Sequence, residues 1–356
     1  MIADLRRDLR AVVIPWIVSR TLVVTGYVIA RSMGTRLSRH GVRGNVVGLF
    51  GWDAAFYREI ARHGYRSVVA NDGLRFFPLY PLVSRFFGAS DVVLLAITNF
   101  SMLIALALLR RLATDWRGIA TANRAVWIFA LGPGVTATVM GYAEPLFLVF
   151  AIGTALALQR RLFVIAAVLS AGAALTRPVG LLLVVMLIVV ATLDRSWKAI
   201  GAIVGPLVGA GAYFAWTRAT TGDWLRPLHI QAHANLRGRN VDPVRAVWAS
   251  LREVAVQHRS GPAIHLLWAA IAIGLCTIAF RRLPLPGSSY AAAIVLLSLT
   301  TRNLDSYERY LLAAFPLAIA ASSIRLPTFV ERIAPYALGM TVVGYATLSF
   351  ATIYVP

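Results

Sequence analysis

Long apolar stretches dominate this chain, broken at intervals by short polar segments rich in arginine. The runs consist mainly of Leu, Ala, Val and Ile and do not alternate in period two. That argues against the strands of a membrane barrel and for helices that satisfy their own backbone hydrogen bonds. A hydrocarbon core of about 30 Å takes about 20 helical residues, and stretches of that order recur about eleven times. They read as 11–30, 91–109, 119–139, 144–158, 162–177, 179–193, 199–217, 262–280, 288–301, 311–324 and 335–354. The pattern predicts an all-α polytopic membrane protein, a single domain over 1–356, with two long connections at 31–90 and 218–261.

The connection 31–90 is rich in aromatic residues. From Trp52, a helical reading puts Phe56, Ile60 and His63 on one face, with Asp53 and Tyr57 on the neighbouring one. This predicts a helix lying in the membrane interface. Pro78 and Pro81 bracket Tyr80 in a second apolar piece ending at Phe87, too interrupted to span, which reads as another interfacial segment.

Composition agrees: 58% of the 356 residues are hydrophobic and 14% charged. Lys198 is the single lysine among 35 basic residues, an arginine bias expected of a G+C-rich, bacterial genome. The net charge of +20 is scattered between the apolar runs, which favours anionic lipids and phosphate-bearing substrates over nucleic acid as partners. Alternate connections collect Arg6, Arg7 and Arg10, Arg110, Arg111 and Arg117, Arg160 and Arg161, Arg195 and Lys198, Arg281 and Arg282, and Arg325 and Arg332. Placing these in the cytoplasm makes the N-terminus cytoplasmic and puts both long connections outside. The basic start followed by an apolar run resembles a signal peptide, but the run is long and lacks a small-residue cleavage site, so a retained first helix is expected. Cys276 is the sole cysteine, which leaves no intramolecular disulfide.

Asp53, Glu144, Arg177, Asp305, Glu308 and Arg309 then fall at or near the same outer face. Asp53 is one of only 15 acidic residues and stands among aromatics, where a carboxylate is costly unless paired, solvated or used. It could serve as a general base, with Trp52, Tyr57 and Tyr80 stacking on sugar rings, or simply favour the N-terminus of its helix. Glu144, before Pro145, could bind a hydroxyl, orient an arginine or cap a helix. Arg177, in Thr176-Arg177-Pro178-Val179-Gly180, could hold a phosphate or belong only to a turn. Asp305, Glu308 and Arg309 make a site or a local salt bridge, and Arg309 suits a departing lipid phosphate. His229 and His233 stand four apart, but no third ligand is evident, and no metal or other cofactor is expected. Walker, dinucleotide and nucleophile-elbow motifs are absent, which disfavours soluble nucleotide-using enzymes.

The ordered set WDAAFY from Trp52, HGY from His63, FFPLYP from Phe76, GYAEPLF from Gly141, TRPVG from Thr176 and ERY from Glu308 resembles the PIG-V-type mannosyltransferases. It runs from Trp52 to Pro316 and so covers most of the chain. The resemblance implies a bacterial member of the GT-C glycosyltransferases. It implies a polyprenyl-phosphate sugar donor, a glycan or glycolipid acceptor and a catalytic acid in the first non-cytoplasmic loop. Asp53 matches that acid, and Glu144, Arg177 and Arg309 match positions in the other motifs. A multispan transporter or a flippase of envelope precursors is the main rival, although such proteins usually place ionisable residues at mid-bilayer. A non-catalytic envelope scaffold is a third possibility.

Overall fold

The computed structural model describes residues 2–39, 45–68, 72–233, 236, 238, 241–257, 260–301 and 304–356, and every regular element among them is a helix. α1 (Ile2–Arg39) is followed by two short helices, α2 (Asp53–His63) and α3 (Leu79–Phe86), then by α4 (Asp91–Arg117) and α5 (Ile119–Ala130). The middle of the chain forms α6 (Glu144–Gln159), α7 (Phe163–Thr176), α8 (Leu183–Asp194), α9 (Trp197–Ala202), α10 (Val204–Thr221) and α11 (Arg226–Gln231). The remainder forms α12 (Pro243–Gln257), α13 (Ser260–Arg282), α14 (Leu285–Leu299), α15 (Tyr307–Leu311), α16 (Pro316–Ser322) and α17 (Thr328–Phe350).

These helices lie where the apolar runs lie. Arg6–Arg36, Asp91–Arg117, Trp197–Thr221, Pro262–Arg282 and Thr328–Phe350 are long and apolar enough to cross a membrane, and four shorter apolar helices of 10–17 residues accompany them. Several apolar runs are not continuous helices, and two of them break at a proline. Run 119–139 forms α5 as far as Ala130, turns at Leu131 and Gly132, and continues as a 3-10 turn over Pro133–Thr138. Run 311–324 holds a break before α16, which starts at Pro316. In both places a proline has no N–H to continue the preceding helix and instead opens the next element.

α1 packs on α17 and α4, α4 on α5 and α6, α6 on α7, and α7 on α10. Without a hydrophobic drive between helices in lipid, close packing holds them together, and small residues permit it. Gly205 and Gly209 show this on α10: a Cβ would stand 2.2 Å from Ala167 O in the first case and 2.3 Å from Ala171 O in the second. Ile14, Val24, Val92, Val164, Leu267 and Met340 point outward. Such a surface suits hydrocarbon, not water.

Charged pairs close both ends of the bundle. At one end Arg110 joins Asp8 and donates to Asn123 Oδ1 at 3.0 Å, Arg161 pairs with Asp194 at 3.1 Å, and Arg124 with Glu331 at 3.0 Å. At the other, Ser90 caps α4 through Val93 N at 3.2 Å, and Asp91 in its first turn pairs with Arg62 of α2 at 2.7 Å. That bond ties the amphipathic α2 to the bundle.

Candidate active site

Asp53 is the first residue of α2, and the chain enters it through an unusual bend. Trp52 adopts a left-handed φ of 55°, and its Nε1 donates to Ser349 O at 3.0 Å. For a bulky residue that conformation costs on the order of 1–3 kcal/mol and persists where surrounding contacts impose it. Val47 N donating to Phe350 O at 2.9 Å adds a second tie to the same end of α17. The carboxylate of Asp53 is thereby delivered to a fixed place.

Three further helix ends meet it. Glu144 opens α6, with Pro145 as the next residue. Arg177 follows the last residue of α7 in extended conformation before the turn at Pro178. Arg309 sits on the five-residue α15.

Arg309 Nη1 donates to Asp53 Oδ2 at 2.7 Å, and its Nε stands 3.5 Å from Glu144 Oε1. Arg177 Nη1 pairs with the same Glu144 oxygen. On the other side of Asp53, Arg75 Nη2 lies 3.5 Å from Oδ1. The side chains are only partly open: 19% of Asp53 and 14% of Arg75 are exposed, against 6% of Arg309 and 3% of Glu144. Aromatic faces complete the walls. Arg309 lies over the rings of Tyr142 and Tyr310, Arg177 over Tyr310, and Arg75 over Phe76 at 4.6 Å. Each such contact favours the cation modestly.

Burial pushes the Asp53 carboxyl up, but Arg309, Arg75 and Arg177 outweigh it and hold it below its ordinary value of 3.8. Glu144 Oε2 and Arg75 Nε are buried without a hydrogen-bond partner among the described residues. Buried polar atoms are seldom left so. The arrangement provides an acceptor and a donor beyond the internal network.

The structure thus brings Asp53, Glu144, Arg177 and Arg309 into one cluster and adds Arg75, which the sequence reading did not single out. Its only sequence signal is its place immediately before Phe76-Phe77-Pro78. Of the other candidates, Tyr57 and Tyr80 stand close enough to the cluster to feel the charge of Glu144, while Trp52 and Asp305 turn to other partners. Trp52 reaches toward Ser349, as described. Tyr57 is buried between Phe76 and Tyr80, with ring centroids 5.0 and 5.1 Å away. Tyr80 is fully buried behind it, with its hydroxyl 3.1 Å from Leu94 O and 2.9 Å from Thr98 Oγ1. Asp305 has a side chain 65% exposed and lies 4.0 Å from His265 Nε2, apart from the Asp53 cluster. His229 pairs with Asp223 at 2.7 Å, and His233 approaches Asp72 at 3.7 Å.

No family model and no curated protein matches the chain. Solved structures do. ArnT from Cupriavidus metallidurans, in a crystal structure bound to undecaprenyl phosphate, is similar over 95% of this chain and 76% of its own, at 16% identity and a TM-score of 0.53. The Archaeoglobus fulgidus oligosaccharyltransferase, in a crystal structure tethered to an acceptor peptide, is similar over 96% of this chain, at 11% identity and a TM-score of 0.50. This chain spans 55% of that protein's length. At such identities the likeness is one of fold, a polytopic helical membrane architecture.

Proposed function

We propose that the protein is a membrane glycosyltransferase that moves a sugar from a polyprenyl-phosphate donor to a hydroxyl on a glycan or glycolipid acceptor, with Asp53 as general base. The motif resemblance makes mannose the sugar, and the fold shared with a protein crystallised with undecaprenyl phosphate supports a lipid phosphate as the carrier. The observation that carries the reading is Arg309, held 2.7 Å from Asp53 and 3.5 Å from Glu144.

In the displacement, the acceptor oxygen bonds to the anomeric carbon as the carbon–oxygen bond to phosphate breaks, with inversion. The acceptor proton goes to Asp53, and the electron pair leaves with the lipid phosphate. One negative charge therefore passes from Asp53 to the phosphate. Arg309 already stands against the carboxylate that loses charge and is placed to follow it to the leaving group. While paired, Asp53 is a weak base; as Arg309 turns to the phosphate its proton affinity rises, at the moment the acceptor must be deprotonated. A phosphate leaving group needs no protonation, so one carboxylate suffices where a glycosidase uses two. Glu144 keeps Arg177 and Arg309 in place, and Arg75 supplies a further donor.

Asp53→Asn tests the assignment. Reconstituted in liposomes with polyprenyl-phosphate-mannose and total envelope glycolipid, the variant inserts normally and loses transfer by at least about a hundredfold. Transfer at the wild-type rate would overturn the role of Asp53.

A further inference from the structure

Next to the candidate site lies a second buried carboxylate that the transfer chemistry does not use. Glu308 is 1% exposed, and its oxygens are fully engaged. His265 Nδ1 of α13 donates to the carboxylate with 3.0 Å to each oxygen, Tyr345 Oη of α17 donates to Oε1 at 3.1 Å, and Tyr354 Oη donates to Oε2 at 2.7 Å. Trp268 Nε1 donates to Tyr345 Oη at 2.9 Å, which fixes that ring in turn. Beyond the imidazole, Asp305 Oδ1 lies 4.0 Å from His265 Nε2. Two other elements are therefore pinned to one side chain of α15.

α15 needs such restraint. It has five residues and begins from Ser306 in a left-handed conformation, φ 60°. A helix so short has almost no stability of its own. Ser306 Oγ donates to Val355 O at 3.0 Å, holding the entry. On the opposite side, Gly134 of the turn Pro133–Thr138 lies so close that a Cβ there would stand 2.7 Å from Glu308 O and 3.0 Å from Arg309 Cα. Successive side chains project about 100° apart around a helix, so fixing Glu308 fixes the direction in which Arg309 leaves.

We propose that Glu308 is a positioning residue: its hydrogen-bonded carboxylate locks α15 so that the Arg309 guanidinium reaches Asp53 and Glu144. This rests on the reading of Asp53 and Arg309 as reaction-site groups. Glu308 itself touches neither substrate nor reacting atoms. Its effect is transmitted through one residue of helix.

Difference infrared spectroscopy between the whole chain and its Asp53→Asn variant isolates the Asp53 carboxylate and follows its titration. The groups facing that carboxylate are Arg309, Arg75 and Arg177, with Glu144 behind them. The same difference is taken in Glu308→Gln and Tyr354→Phe backgrounds. With Arg309 misdirected, Asp53 in Glu308→Gln binds its proton about tenfold more tightly, and Tyr354→Phe moves it the same way by less. Transfer kcat falls in both, and the acid limb of its pH profile moves upward. An unchanged Asp53 titration in folded Glu308→Gln protein overturns the positioning role, as does a fall in kcat with no movement of that titration. If Glu308→Gln does not fold, Tyr354→Phe, which removes one hydrogen bond, decides by the same readout. Absence of sugar transfer by the wild-type protein would defeat the glycosyltransferase reading instead, and the infrared comparison would still judge the positioning of Arg309.

Discussion

Arg75, Arg177 and Arg309 stand against Asp53 and Glu144, so these five side chains carry one surplus positive charge. The phosphodiester monoanion of the proposed donor would neutralise that surplus. Arg75 tests the idea most cleanly, because it lies outside the α-helices and meets Asp53 across 3.5 Å. Arg75→Gln removes a cation that lowers the Asp53 carboxyl, so the carboxyl rises. As the proposed base Asp53 works deprotonated, so activity is lost as pH falls through its pKa. The acid limb of kcat/KM, kept low by the three arginines in the wild type, is accordingly expected at higher pH in the variant. With a charged hydrogen bond worth about 1.5–3 kcal/mol, kcat/KM at neutral pH falls roughly ten- to a hundredfold. A pH series on liposomes measures both. Arg75 escaped the sequence reading because it belongs to no motif, and the fold alone carries it back 22 positions to Asp53. Glu144, Arg177 and Arg309 were legible because each marks the edge of an apolar run, and Asp53 because it is an acid standing among aromatics.

At the scale of elements, helices were readable wherever one physical cause dominated. The period of α2 and the Pro145 that opens α6 both predicted their helices. Breaks within apolar runs were harder: hydropathy is blind to the missing N–H of Pro133 and Pro316, so runs 119–139 and 311–324 read as spans though their helices stop short. The partners of Glu308 were invisible because His265 lies 43 positions away with no motif linking them. The junction of α7 with α10 sets where Arg177 stands, and its closeness depends on Gly209. A Cβ there would meet Ala171 O at 2.3 Å, while nothing lies within 4 Å of Gly211 on the same helix. Gly209→Val therefore drives the two helices apart, destabilises the protein by about 1–3 kcal/mol and reduces transfer, whereas Gly211→Val is tolerated. Thermal unfolding in detergent, read beside activity, separates the two variants. Equal melting temperatures for both would remove close α7–α10 packing as a determinant of the site.

For the whole molecule, the distribution of charge bears on which side of the membrane the site faces. Asp53, Glu144, Arg177 and Arg309 meet at one end of the bundle, and Arg110, in the last turns of α4, lies with Arg161, Arg195 and Lys198 at the other. Each basic residue near an anionic cytoplasmic leaflet contributes about 1 kcal/mol, and short connections weigh most in setting orientation. We propose that the arginine-bearing short turns lie inside and the Asp53 end outside, where an acceptor of the cell envelope would be met. A transporter would need its charges to face both sides in turn; gathering them at one end suits transfer at one surface. Ser67, exposed just after α2, and Lys198, exposed at the opposite end, make the comparison possible. In a Cys276→Ala background, Ser67→Cys should react with a membrane-impermeant maleimide on intact cells, and Lys198→Cys only after the membrane is opened. The reverse pattern would place the Asp53 cluster in the cytoplasm, and the donor would then have to present its sugar from the inner leaflet.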